Sequence, residues 1–79
     1  MKRVLLSPHA QKAAEERGID TARTLAEPER IEPDRRHAER QSALCRIAEF
    51  DGRWLRVVYV EEAERYRIVT VFFDRKARR

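Results

Sequence analysis

The stretch 53–74, RWLRVVYVEEAERYRIVTVFFD, constrains the fold of this chain more than any other. It holds two runs rich in Val, Ile, Tyr, Phe and Trp, separated by Glu61-Glu62-Ala63-Glu64, whose charges resist burial. Such runs pair as adjacent antiparallel strands. Upstream, Phe50-Asp51-Gly52-Arg53 carries Asp-Gly, which suits a two-residue type I′ turn because both central positions of that turn need positive φ. A third strand over 43–50 therefore precedes. A two-residue turn sets Ile47 opposite Arg56, and pairing Val60 with Tyr66 sets Arg56 opposite Thr70.

Those registers define two faces. One carries Leu44, Ala48, Phe50, Leu55, Val57, Tyr59, Val69, Val71 and Phe73 and is the expected core face, with Arg46 and Arg67 towards one end. The other carries Cys45, Ile47, Trp54, Arg56, Val58, Val60, Tyr66, Ile68, Thr70 and Phe72. It is too apolar for a solvated face, yet it has an arginine near its middle, which points to a partner or a binding surface. A longer turn with a bulge would exchange the faces of one strand.

At 79 residues the chain is one domain with a marginal core, so a homodimer is a reasonable expectation. The single cysteine, Cys45, excludes an intrachain disulfide and reads as a small buried apolar residue. After Met1-Lys2-Arg3 the apolar run is only Val4-Leu5-Leu6, far short of a signal peptide or a membrane span. A cytoplasmic protein without membrane contact is expected. The net charge of +4 favours anionic partners such as nucleic acid or an acidic protein. Fifteen of the eighteen cations are arginines, which form the better bidentate phosphate fork.

The remaining elements follow from local signals. A short strand covers 2–6, and Ser7-Pro8 then gives an N-cap and a proline at the first helical position. The helix 9–17 has a narrow stripe of Ala10, Ala13 and Ala14 and ends at Gly18. Asp20 caps a second short helix over 21–26, stopped by Pro28, with Ala22 and Leu25 as its apolar contacts. Residues 30–32 make a brief edge strand ended by Pro33, 34–42 read as an exposed arginine-rich loop, and 75–79 form a basic tail after a domain spanning 1–74. The expected fold is α+β, with two N-terminal helices packed on a small antiparallel sheet in the order β-α-α-β-β-β.

Ser7-Pro8-His9-Ala10, Glu16-Arg17-Gly18-Ile19, Arg53-Trp54-Leu55-Arg56-Val57-Val58 and Val69-Thr70-Val71 resemble a family of small uncharacterised proteins, itself similar to the RelE/ParE toxin superfamily that includes BrnT-type toxins. The resemblance implies a RelE-like fold, membership of a type-II toxin–antitoxin pair with an antitoxin protein as partner, and RNA as the target of a metal-independent endoribonuclease. The chain departs from the pattern at Ala13, where relatives often carry an arginine, and after Phe73, where many toxins add a helix.

RNA cleavage of this kind needs a base for the ribose 2′-hydroxyl, a cation for the phosphorane charge and an acid for the leaving oxygen. Arg56 is the candidate for the scissile phosphate, with Arg46 and Arg67 in reserve; the bland alternative is an arginine paired with Glu49. His37 or His9 is the candidate for proton transfer. His37 sits among Arg35, Arg36 and Arg40, a cluster suited to RNA or simply a solvated loop. His9 lies on the first turn of the first helix, where a structural tie to the sheet is the alternative. Trp54, Tyr59 and Tyr66 are candidates for stacking bases, and strand aromatics are also ordinary core residues. Two histidines and one cysteine, widely spaced, make no metal pattern, and no cofactor is expected. Two further classes are consistent with the chain. One is a non-catalytic interaction or dimerisation module using Ile47, Val58, Ile68 and Phe72; the other is a basic nucleic-acid-binding domain.

Overall fold

The computed structural model describes residues 3–77. Its elements are β1 (Arg3–Leu6), α1 (Pro8–Arg17), α2 (Thr21–Ala26), β2 (Arg30–Pro33), β3 (Arg40–Ile47), a short 3₁₀ turn (Ala48–Phe50), β4 (Arg53–Glu61) and β5 (Arg65–Phe73). Lys2, assigned to the first strand by sequence, and Arg78 and Arg79 of the basic tail lie outside the described residues.

The helices form where the local signals put them. The Ser7 hydroxyl accepts from the Ala10 N–H at 3.1 Å, and Gly18 closes α1 at φ 63°, the left-handed conformation that costs glycine no steric clash. The Asp20 carboxylate caps α2 by accepting from the Arg23 N–H. The second helix buries Thr21 and Thr24, however, while Ala22 is exposed and Leu25 only half-buried.

The sheet corrects the expected fold. It has five strands in the order β1-β5-β4-β3-β2, and β1 runs parallel to β5, so the sheet is mixed and not antiparallel. Four strands follow the helices, the brief edge strand expected over 30–32 among them, so the order is not the RelE-like β-α-α-β-β-β. That edge strand is β2, a full partner of β3 from Arg30↔Leu44 to Pro33↔Gln41. With β2 covering the outer side of β3, the free edge for β1 is that of β5, and Val4 and Leu6 pack into the core from there.

Two irregularities rearrange the faces. Asp51 and Gly52 do take positive φ, 57° and 70°, but they close the 3₁₀ turn, with Gly52 N–H donating to the Ile47 carbonyl. Phe50 in that turn packs on Phe73 at 5.0 Å between ring centroids, and Glu49 pairs with Arg23 of α2. Side-chain packing thus favours the longer connection. The ladder starts at Ile47↔Arg53 and places Leu44, not Ile47, opposite Arg56. In β5 a bulge falls at Val69, between the pairs Val58↔Thr70 and Tyr59↔Ile68. The Val69 carbonyl accepts from the Ser7 hydroxyl at 3.1 Å, so one serine caps α1 and fixes the bulge.

The core therefore lies under α1 and gathers Ala10, Ala14, Ala43, Leu55, Val57, Tyr59, Ile68 and Val71, with Ile47, Tyr66 and Phe73 packed against it. Ile47, Tyr66 and Ile68 were expected on the second face and belong to the core face, whereas Leu44, Arg46 and Arg67 cross the other way. Of the apolar patch expected for an interaction module, only Val58 and Phe72 remain on the second face.

Candidate nucleic-acid interface

Among the described residues the second face carries no helix. Because directly paired residues share a face, its side chains fall in four rows across the strands. Arg46 stands beside Trp54; Arg30, Leu44, Arg56 and Phe72 form the next row; Glu32, Ser42, Val58 and Thr70 the third; Arg40, Val60, Arg67 and Leu5 the fourth. Leu44 is fully buried on this side, in the row between Arg30 and Arg56, whose long stems suit such a cover.

Arg56 is held from two sides. Its Nε donates to Asp74 Oδ2 at 2.8 Å and its Nη2 to Glu32 Oε1 at 3.2 Å, while Arg30 Nη1 lies 3.4 Å from Glu32 Oε2. The expected alternative partner, Glu49, is engaged by Arg23. Burial pushes the Asp74 carboxyl up, but the Arg56 hydrogen bond, the Lys76 N–H and the Arg56 charge together bring it below its ordinary value. At the far end, Arg46 donates from Nε and Nη2 to Glu29 Oε1, at 2.9 and 2.7 Å, and from its backbone N–H to Oε2. Led by the Arg46 side-chain hydrogen bonds, these contacts lower the Glu29 carboxyl to about 2. Arg67 faces Glu62 at 3.5 Å.

Arg35, Arg36 and Arg40 behave differently. Asp34 Oδ1 accepts from the N–H groups of Arg36 (2.7 Å) and His37 (3.1 Å), and Asp34 N–H donates to the Arg40 carbonyl. This Asx turn folds the loop back over the sheet. The Arg36 N–H is the main reason that the Asp34 carboxyl is lowered, burial opposing it. The loop and β3 together wall a groove of about 510 Å³ with Arg35, Arg36 and Arg40 and the carboxylates Asp34 and Glu32; Ser42, Val58, Thr70, Arg56 and Phe72 complete its lining. The side chains of these three loop arginines form no ion pair among the described residues. Arg56 and Arg30 are balanced by Asp74 and Glu32, and Asp34, whose carboxylate feels the Arg40 charge, offsets one loop cation, so the groove's positive surplus is three loop arginines against one loop carboxylate.

The groove brings together Arg35, Arg36, Arg40 and Arg56 of the sequence-derived candidates. It does not include His37, which is exposed with Nδ1 3.9 Å from Glu39 Oε1, nor Arg46 and Arg67. His9 is exposed on α1, across the sheet from Arg56. Tyr59 and Tyr66 pack edge-on in the core, where burial raises the Tyr59 hydroxyl and Gln41 accepts its hydrogen bond, so Trp54 alone of the three stacking candidates lies on the open face. A larger cleft of about 640 Å³, between α2 and the β4–β5 turn, is lined by Val4, Leu25 and Tyr66 with Glu64 as its one charged residue, and offers nothing to an anion.

Sequence reasoning missed Asp74 and Glu32 as partners of Arg56. Neither follows from the expected register, which set Ile47 and Thr70 opposite Arg56; both follow from the observed one. With Phe72 opposite Arg56, Asp74 is the diagonal neighbour two residues on, as Glu32 is through Arg30 and Leu44.

Among the described residues no group of three or more His, Cys, Asp or Glu is placed to hold a metal ion, and no helix is long and apolar enough to cross a membrane. Residues 6–73, from the end of β1 to the end of β5, match a family described as "Domain of unknown function (DUF4258)". No curated protein and no solved structure matches the chain.

Proposed function

Because the chain belongs to the DUF4258 family, whose description carries no activity, we propose a function from its own surface: it is a cytoplasmic RNA-binding module that holds single-stranded RNA on the open face of its sheet. The observation that carries this reading is the convergence of Arg35, Arg36 and Arg40 on one groove, three cations against the single loop carboxylate of Asp34, beside cations that are already paired. Unpaired guanidinium groups around a polar floor suit phosphate oxygens, and Ser42 and Thr70 add hydroxyl donors. A flexible single strand follows a cation-lined groove on a sheet face more readily than a rigid duplex.

Strand cleavage is not part of the proposal. Attack by a ribose 2′-hydroxyl needs a titrating group within hydrogen-bond reach, and neither His9 nor His37 lines the groove. Arg56, paired with Asp74 and Glu32, acts in this reading as the brace of the groove and not as its phosphate ligand.

The test is incubation of the protein with end-labelled single-stranded RNA in excess chelator, analysed on native and denaturing gels. A retarded and intact strand is expected, with retardation lost in the Arg35→Ala/Arg36→Ala/Arg40→Ala variant. Strand scission by the wild type that disappears in His37→Ala would replace the binding module by the nuclease that the toxin resemblance implies.

A further inference from the structure

Trp54, the chain's single tryptophan, lies on the open face beyond Arg56 and is half-buried. The guanidinium carbon of Arg30 stands over its ring at 5.0 Å from the centroid, and that of Arg46 at 5.5 Å. Both arginines are anchored on carboxylates, Arg46 on Glu29 and Arg30 on Glu32. This end of the face therefore carries little surplus charge, in contrast to the loop end. What it offers is an indole covered by two guanidinium groups within cation–π distance.

A guanidinium plane and a nucleobase are interchangeable partners for an indole, since both present a flat face to its π system. Arg40 and Arg46 are six residues apart on β3, a span of about 20 Å at the usual rise per strand residue. One short strand of RNA reaches from the phosphate-binding loop to the indole over that length. We propose that Trp54 is a nucleobase-stacking site for single-stranded RNA whose phosphates are held by Arg35, Arg36 and Arg40, an inference that rests on the RNA-binding reading above. On binding, a base takes the place of a guanidinium over the ring. The displaced arginine remains tethered beside the same nucleotide and turns to its phosphate. Duplex RNA has no free base face to offer and does not engage this site.

Because Trp54 is the only tryptophan, its fluorescence reports on this site alone. The wild type is titrated with a twelve-nucleotide oligouridylate and, separately, with inorganic polyphosphate of similar charge. Oligouridylate is expected to quench the fluorescence, and polyphosphate to bind without quenching. In filter binding, Trp54→Leu should lose about 5- to 150-fold in RNA affinity, the range for one stacked base, with polyphosphate affinity unchanged and most of the RNA affinity kept in Trp54→Phe. If both ligands bind while oligouridylate leaves the fluorescence untouched and Trp54→Leu binds it like the wild type, stacking is wrong and the phosphate-binding reading stands. If neither ligand binds, that reading fails and the stacking site fails with it.

Discussion

Arg56→Met retains the aliphatic stem over Leu44 and removes the guanidinium that joins Asp74 to Glu32. The Arg56 and Asp74 side chains keep 20% and 15% of their exposure, and their hydrogen bond is 2.8 Å long. The pair thus lies between an exposed ion pair, worth about 0.2–1 kcal/mol, and a buried one, whose rupture costs about 3–5 kcal/mol. A loss of about 2 kcal/mol is expected from that interpolation, and in a domain of this size it lowers Tm by roughly 8–16 °C. Thermal unfolding followed by circular dichroism at pH 7 measures it. The pH dependence gives an independent check. The folded-state pKa of Asp74 is depressed, so its contribution is fully present above the unfolded value of about 3.9 and is lost as pH falls through the folded value. The gap between wild type and variant should be full above about pH 4 and shrink below it. A Tm within about 2 °C of wild type at pH 7, far below the shift derived above, would show that Arg56 is not the structural brace described here and would return it to the candidates for ligand contact.

Other substitutions probe separate parts of the account. Arg46→Ala should return the Glu29 carboxyl from about 2 towards its ordinary value, read by NMR titration of its side chain, and remove a stabilisation that is full above the ordinary value and fades as pH falls to about 2. Ser7→Ala removes both the cap of α1 and the bond to the bulge at Val69, and should cost about 1–2 kcal/mol in urea unfolding, more than an isolated cap of average strength. Leu44→Ala should cost about 2–5 kcal/mol although the residue faces away from both helices, because the arginine stems above it cannot collapse into the space.

What was legible in the sequence was local. Ser7-Pro8, Gly18 and Asp20 act through their own backbone neighbours, and the helices start and stop where those residues dictate. The apolar runs of β4 and β5 were equally plain, whereas β3, expected over 43–50 after a loop reaching 42, runs from Arg40 to Ile47. Register was not, because it depends on contacts distant in sequence: Phe50 on Phe73 and Glu49 on Arg23 draw three residues into a 3₁₀ turn, and Ser7 holds the bulge at Val69. Each irregularity exchanges a strand's faces, because side chains alternate with a period of two. That is why Ile47 and Ile68 lie in the core and Leu44 on the open side. The parallel placement of β1 escaped for a related reason, since nothing in Val4-Leu5-Leu6 says which edge is free. The arginine loop was recognised as a cluster, but only the fold of the loop over Ser42 and Thr70 separates Arg35, Arg36 and Arg40 from His37.

The most direct measurement is the salt dependence of single-stranded RNA binding, for the wild type and for the Arg35→Ala/Arg36→Ala/Arg40→Ala variant. Each phosphate neutralised on a single strand contributes about −0.7 to the slope of log K against log salt. Three unpaired arginines in the groove should therefore make the wild-type slope steeper than the variant's by about 2. Equal slopes in the two proteins, or a wild type that binds no RNA at low salt, would contradict the assignment of this groove to RNA.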